Sequence, residues 1–318
     1  MSKPIFIMTV GLPGSGKSTW ASKVKDAVVI SSDAIRVELF GTDDRKTNGE
    51  ENAKVFAIAH RRIKQNLKKK KNIIFDATNL NKNRRKVLLR DIRESGIDCY
   101  TRCRLFMTSY EICEEQNQKR DRVVPKPDLQ KLYTSFQPPH KSEGWDAIEV
   151  HYRADYSEYN LTAILNKCEG FNQESKHHEL DLGDHLRTTM ALVEKETNDP
   201  VVRMAALLHD IGKLKTKSRD EEGDCHYYQH HCVGAYDALL CIGALLYDAH
   251  ENKKIKITGE DRALDIANLI YYHMHPYMSW SQSEKTQRKD RELLGDEMFN
   301  RIMLIHRADK ESHDGKEE

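Results

Sequence analysis

The run Gly11-Leu12-Pro13-Gly14-Ser15-Gly16-Lys17-Ser18-Thr19 fits G-x-x-x-x-G-K-[ST] without a mismatch. An apolar stretch of strand character, Pro4–Val10, leads into it, and a helical pattern leads out. In that setting glycines let successive backbone N–H groups curl around phosphate oxygens, helped by the positive end of the new helix. Lys17 is placed to reach β- and γ-phosphates, and the Ser18 hydroxyl to sit on Mg²⁺. The cradle Gly11, Gly14, Ser15, Gly16, Lys17, Ser18 and Thr19 is therefore expected to bind ATP or another nucleoside triphosphate.

Three later features narrow what such a site does. Asp33 and Arg36 follow a second strand as Ser32-Asp33-Ala34-Ile35-Arg36. If that strand neighbours the P-loop strand of a doubly wound sheet, its end faces the γ-phosphate. A carboxylate there can take a proton from an incoming hydroxyl, and an arginine one turn later can hold an anion on the acceptor. Next, Asn72-Ile73-Ile74-Phe75-Asp76-Ala77-Thr78-Asn79 is an apolar strand ending in polar groups for the metal or acceptor pocket. Third, the basic segment Asn117–Val124, stopped by Pro125, can close as a lid. Arg120 or Arg122 would then neutralise charge on the transferred phosphoryl group.

A second chemistry lies in the other half. His209-Asp210 follows the apolar Ala205–Leu208 and precedes Ile211-Gly212-Lys213. Adjacent His and Asp can both turn toward a metal, the carboxylate bridging two ions. His185 and Asp309 complete a set for one metal, and His230 and His273 would extend it to two. His231 and His275 each neighbour a stronger candidate, so one member of each pair is left for supporting a ligand or touching substrate. His177 and His178 are expected to be exposed or packed.

The elements that must position these groups differ between the halves. Strand candidates Pro4–Val10, Val28–Ile30, Asn72–Asp76 and Asp98–Met107 alternate with amphipathic stretches such as Glu51–Lys70 and Arg84–Ser95. Such alternation predicts a parallel sheet with helices on both faces. From Tyr156 the apolar spacing is helical: Leu182–Val193, Val201–Leu208, Val233–Tyr247, Ala263–Tyr272 and Glu292–Ile305. The fold class is thus α/β plus all-α, with domains 1–158 and 159–318. Pro138–Gly144 reads as a turn-rich tail of the first domain, and Glu311–Glu318 as frayed.

Bulk composition excludes some classes. The 318 residues are enough for two domains. No apolar run approaches a bilayer span, and no signal-peptide pattern opens the chain. The seven cysteines form no C-x-x-C pair, which suits free thiols in a reducing cytoplasm. Residues 1–158 hold 30 Lys/Arg against 21 Asp/Glu, whereas residues 159–318 hold 21 against 29. A basic first half suits a polyanionic partner, and an acidic second half, with 12 of the 15 histidines, suits cations.

Gly11–Trp20, Asp33/Arg36, Asp76-Ala77-Thr78-Asn79-Leu80-Asn81 with Arg84-Arg85, and the Arg120/Arg122 lid together resemble phage-type 5′-polynucleotide kinases. Phe136-Gln137-Pro138-Pro139 resembles the end of the wider kinase family. The resemblance implies transfer of the ATP γ-phosphate to a polynucleotide 5′-OH. It makes Asp33 the general base, gives Arg36 the acceptor's 3′-phosphate, and gives a lid arginine the transition state. The family's Asp-Asp pair stands here as Asp33-Ala34.

The second half resembles HD-domain metal phosphohydrolases, in particular the HD domain of bacterial CCA-adding tRNA nucleotidyltransferases. The resemblance rests on Phe171-Asn172-Gln173, Leu207–Lys213, Tyr227-Tyr228-Gln229-His230 and Gly234-Ala235. It implies a helical domain that removes 2′,3′-cyclic phosphate and 2′-phosphate from RNA ends. Hydroxide generated at the metal would attack phosphorus, with Lys213 steadying the phosphate oxygens. Mn²⁺, Co²⁺, Ni²⁺ and Fe²⁺ all suit His/Asp ligands.

Joined, the halves resemble bacterial HD-domain polynucleotide kinases, with the kinase leading here rather than following. They imply a bifunctional RNA end-healing enzyme acting before an RNA ligase, on tRNA or other RNA, with DNA and homo-oligomerisation left open. Two other readings stand beside it. One is a nucleoside or small-molecule kinase fused to an HD nucleotide phosphohydrolase. The other is a non-catalytic sensor switched by nucleotide and metal.

Overall fold

The computed structural model describes residues 3–41, 49–174, 180–248 and 260–313, and His177 and His178 lie outside them. The chain divides into two compact units, Met1–Leu129 with Pro139–His151, and Gln130–Pro138 with Tyr152–Glu318.

The first unit begins with β1 (Ile5–Val10), the P-loop and the short α1 (Lys17–Ala21). It continues through β2 (Val28–Ser31), α2 (Ser32–Phe40), α3 (Gly49–Lys68), β3 (Ile73–Asp76), α4 (Lys82–Glu94), β4 (Tyr100–Thr108), α5 (Tyr110–Gln118) and α6 (Lys126–Tyr133). A five-stranded sheet in the order β2-β3-β1-β4-β5 forms its core, the last strand being Ala147–Arg153. The pairs β2–β3, β3–β1 and β1–β4 are parallel. Short polar side chains start the connecting helices: Ser31 accepts from Ala34 N (3.3 Å), and Asn81 from Arg84 N (3.0 Å).

Strand order corrects one expectation. The strand beside the P-loop strand is β3, not the β2 that leads to Asp33. All four residues of β3 are buried, whereas β2 is half covered. The bulkier Ile73-Ile74-Phe75 takes the inner place, and Val28-Val29-Ile30 lies at the edge, where Val29 is exposed. β5 was not read from the sequence, because Ile148 alone of its seven residues is buried and the strand carries no continuous apolar run.

The second unit is helical, with α7 (Tyr156–Tyr159), α8 (Leu161–Cys168), α9 (Leu182–Glu196), α10 (Pro200–Leu208) and α11 (Lys213–Thr216). A small hairpin, β6 (Ser218–Arg219) and β7 (Cys225–His226), precedes α12 (His230–Asp248) and α13 (Glu260–Tyr272). Three helices close the unit: α14 (Ser279–Gln282), α15 (Glu284–Leu294) and α16 (Asp296–His313). The segment expected as one helix over Glu292–Ile305 is broken at Gly295, whose φ of 84° only glycine adopts readily. Glu311, Ser312 and His313, expected to fray, continue α16, because Ser312 is buried against α9. No helix among the described residues is long and apolar enough to cross a membrane.

Candidate phosphate and metal sites

In the first unit, β1 delivers the glycine loop at the carboxyl edge of the sheet. Gly14 (φ 81°) and Gly16 (φ 90°) take left-handed conformations. A Cβ at Gly14 would also collide with the Cys113 carbonyl, so the loop closes on α5 only with glycine there. Lys17 is buried and curls over the loop, donating to Leu12 O (2.6 Å) and Ser15 Oγ (3.2 Å). Thr108 Oγ1, at the end of β4, donates to Ser15 O (3.2 Å). Ser18 and Thr19 are exposed in the first turn of α1.

Register aligns the neighbouring groups. Ser31 pairs with Asp76, and Thr9 Oγ1 lies 3.4 Å from Asp76 Oδ1. Thus Asp76, rather than Asp33, is the carboxylate on the strand next to the P-loop. Asp33 follows two residues beyond Ser31, on the same edge of the sheet. Its Oδ1 accepts from Arg36 Nη1 (2.9 Å), whose Nη2 donates to Asn52 Oδ1 on α3 (2.9 Å). Arg36 is buried, and Asp33 is the more open partner. The structure therefore brings the two together as an ion pair.

The β3–α4 loop is locked in place. Gly11 N donates to Thr78 O (3.1 Å), and Asn79 Nδ2 to Thr9 O (2.8 Å). Arg85 holds Asn79 O and Leu80 O while forming a fully buried bidentate pair with Glu143 (2.8 and 2.6 Å). Arg85 is thus a structural clamp. Arg120 and Arg122 lie half-buried in the bend between α5 and α6. The base of that segment is pinned by the buried Asn117, which exchanges hydrogen bonds with Val124 N (3.1 Å) and O (2.8 Å).

The second unit gathers a denser site. His185 comes from α9, His209 and Asp210 from the end of α10, His230 from the start of α12, His273 from just past α13, and Asp309 from α16. All six are buried. The backbone at Gly212 makes this closure possible: a Cβ there would collide with His230 O, so the turn after Asp210 can press directly on α12.

Two groups of ligand atoms result. His185, His209, Asp210 and Asp309 form one, and Asp210, His230 and His273 form the other. In the first, His185 Nε2 lies 3.4 Å from Asp210 Oδ2 and 3.2 Å from Asp309 Oδ1, and His209 Nε2 lies 3.3 Å from Asp309 Oδ1. In the second, Asp210 Oδ1 lies 3.1 Å from His230 Nε2 and 3.4 Å from His273 Nε2. Donors around one ion at about 2.0–2.2 Å stand roughly 3.0–3.5 Å apart, so these spacings fit.

The proton inventory makes the same point. His209, His230 and His273 each turn Nδ1 to a main-chain carbonyl, of Ala206 (2.8 Å), Tyr227 (2.8 Å) and Ile270 (2.6 Å). A carbonyl can only accept, so Nδ1 donates to it and each ring turns Nε2 toward the cage. The facing Nε2 atoms of His230 and His273 lie 3.3 Å apart. Asp210 Oδ1 and Asp309 Oδ1 are buried without a hydrogen-bond partner. Such a set of inward lone pairs and carboxylates suits divalent cations, and the donor chemistry fits a transition metal.

Burial pushes the Asp210 carboxyl up, but Lys213, His209 and His230 outweigh it and hold it well below the usual range. Asp309 is likewise depressed, burial being overcome by His185, His209 and His313. Lys213 Nζ reaches Asp210 Oδ2 (2.6 Å) and donates to Gln173 Oε1 (2.7 Å).

The sequence reading missed four supports. Gln173 is buried and orients Lys213. Ser312 Oγ contacts His185 Nδ1 (3.1 Å), Tyr277 OH donates to Asp309 Oδ2 (3.2 Å), and His313 Nε2 lies 3.3 Å from Asp309 Oδ1. Ser312 and His313 stand three and four residues past Asp309, so helical spacing already pointed them at the site. His231 and His275 join neither ligand group; their rings pack against Tyr271, and burial pushes His231 down to about 2.

Comparison with known proteins divides the chain in the same way. The model of an AAA domain matches residues 6–139, and that of an HD domain matches residues 180–314. The Multifunctional CCA protein of Teredinibacter turnerae is 26% identical over 164 residues, half of this chain. The chain spans only 36% of that relative's length. Among solved structures, a chain of the Pnkp1/Rnl/Hen1 RNA repair complex overlays at a TM-score of 0.34 and 23% identity, covering 42% of this chain and 44% of its own. The tunicamycin resistance protein of Deinococcus radiodurans overlays at 0.31 and 13% identity, covering 45% of this chain and 88% of its own. An AAA-type P-loop domain is thus followed on one chain by an HD domain.

Proposed function

We propose that this pairing of a P-loop kinase-like domain with an HD phosphohydrolase domain heals broken RNA ends. The reading has the chain phosphorylate 5′-OH ends with ATP and open and remove 2′,3′-cyclic phosphate or 2′-phosphate ends. RNA cut by metal-independent nucleases carries both defects, and an RNA ligase needs both corrected. The carrying observation is the buried His/Asp cage with Lys213 seated on the carboxylate common to both ligand groups. A phosphate-directed site of that kind, on a chain whose other half is a basic P-loop domain, suits one polyanion with two ends. The motif resemblance and the CCA-protein relative support the same substrate class.

In the kinase half, the P-loop and Lys17 hold the triphosphate, and Ser18 would hold Mg²⁺, which neutralises phosphate charge. Asp33 is the proposed base for the 5′-OH. Its ion pair with Arg36 fixes the carboxylate in place, and Arg36 is poised to grip the acceptor's own phosphate. Arg120 or Arg122 is proposed to close on the transferred phosphoryl group. In the HD half, His185, His209, Asp210, His230, His273 and Asp309 would hold one or two divalent ions, which supply Lewis-acid activation. Lys213 neutralises a non-bridging phosphate oxygen, and Gln173 keeps its ammonium on station.

The competing reading is a small-molecule kinase joined to a nucleotide phosphohydrolase. Phosphorylation of a 5′-OH oligonucleotide and of a nucleoside, each across a salt series, separates the two. The polynucleotide reaction is expected to dominate, with KM rising steeply with salt. A salt-indifferent preference for the nucleoside would reject the RNA reading.

A further inference from the structure

Between Lys213 and His230 the chain makes a hairpin that the phosphate chemistry leaves unused. It departs after α11, which Lys213 begins, and returns into α12 at His230, so both its roots lie at the metal cage. One flank is clamped to the loop carrying Gln173. Lys217 Nζ reaches Glu174 Oε1 (2.7 Å) and donates to Asn172 O (2.9 Å), Arg219 pairs with Glu174, and Tyr227 OH donates to Gln173 O (2.6 Å). Glu174 (φ 47°) and Gln229 (φ 62°) sit in left-handed backbone that non-glycine residues seldom adopt. Such strain persists only where surroundings impose it, and it gathers at ligand clamps.

On this anchored hairpin Tyr228 is 68% exposed, the most open large hydrophobic side chain among the described residues. Its ring is not loose. It lies parallel to His226, with centroids 5.0 Å apart and an interplanar angle of 10°, and His226 Nε2 is held by Asp220 Oδ2 (2.6 Å). Tyr228 is two residues from His230, which places their Cα atoms within about 7 Å. A fixed, solvent-facing aromatic stack therefore stands one nucleoside's reach from the cage.

We propose that Tyr228, backed by His226, is the platform on which the base of the terminal nucleoside stacks while its phosphate is processed at Asp210 and Lys213. This inference rests on the phosphoesterase reading above and names its substrate class as a nucleotide end. Every base has a π-face, so the platform selects a nucleoside phosphate over a base-free phosphoester without reading sequence. Position, rather than chemistry, is what it supplies.

The test uses the full chain loaded with Mn²⁺ and two RNAs with 2′,3′-cyclic phosphate ends, one with a terminal base and one abasic there. Tyr228→Ala is expected to raise KM for the first by on the order of tenfold, with kcat little changed, and to leave the abasic substrate unaffected. Tyr228→Phe should keep the wild-type KM. Fluorescence anisotropy of a 2′-phosphate-ended RNA on chelator-treated protein should show the same weakening for Tyr228→Ala. An unchanged KM, or an equal loss on both RNAs, overturns the platform while leaving the phosphoesterase reading intact. Wild-type protein that hydrolyses neither RNA overturns that reading and the platform with it.

Discussion

Lys213 Nζ lies 2.6 Å from Asp210 Oδ2, and both side chains are almost sealed from solvent. The same Asp210 offers atoms to both ligand groups, so one residue ties the cation cage to the Lys213 ammonium. Gln173 accepts a second hydrogen bond from Lys213 (2.7 Å), so the ammonium is held by two buried partners.

Asp210→Asn should therefore damage more than one function of the site. It removes a charge from both ligand groups and leaves Lys213 buried without its counter-ion, a loss of about 3–5 kcal/mol for a broken buried pair. Bound metal, read by elemental analysis, should fall at least tenfold, and hydrolysis should be abolished. Phosphorylation of 5′-OH ends should persist in the same preparation. The double variant Asp210→Asn/Lys213→Met should regain stability in thermal unfolding without regaining hydrolysis.

Ser312→Ala tests the support behind His185 without touching a ligand. Ser312 Oγ contacts His185 Nδ1 and receives a hydrogen bond from Thr189 Oγ1 (3.0 Å). Loss of such a partner typically lowers metal affinity about 10- to 100-fold. Competition with a chelating dye should show that drop, with wild-type kinase activity.

Gly14→Ala should disable the P-loop through shape alone. The added methyl collides with the Cys113 carbonyl and must adopt a positive φ. ATP affinity, measured by calorimetry, is expected to fall at least tenfold, while hydrolysis at the HD site stays within twofold of wild type.

Metal removal should destabilise the protein as well as silence hydrolysis. Stripping the cage leaves inward lone pairs and two buried carboxylates facing one another. Saturation at a hundred times Kd adds about 2.7 kcal/mol, so chelation should lower the melting transition of the second unit by roughly 5–10 °C. Mn²⁺ added back should restore both stability and hydrolysis.

Much of this architecture was legible because its residues obey local rules. The glycine loop announces itself by type and spacing, and the main helices of the HD half follow apolar periodicity. Less legible were relationships decided by packing between distant segments. Nothing in Val28–Ser31 alone says that Ile73–Asp76 will intrude beside β1; the burial of all four β3 residues decides it. Gln173 lies 40 residues from Lys213 and becomes its partner only when the helices close. Ser312 could have been found, since its helical offset from Asp309 was visible, but a polar C-terminal stretch reads as frayed until its buried contacts are seen.

The most direct test of the account incubates one RNA bearing a 5′-OH and a 2′,3′-cyclic phosphate with the full chain, ATP and Mn²⁺, and reads both ends by mass spectrometry. Wild-type protein should yield a 5′-phosphate and an opened or phosphate-free terminus at the other end. Lys17→Ala should lose only the first change and Asp210→Asn only the second. An RNA unaltered at both ends by wild-type protein would contradict the end-healing function, and loss of both reactions in either folded variant would contradict two independent sites.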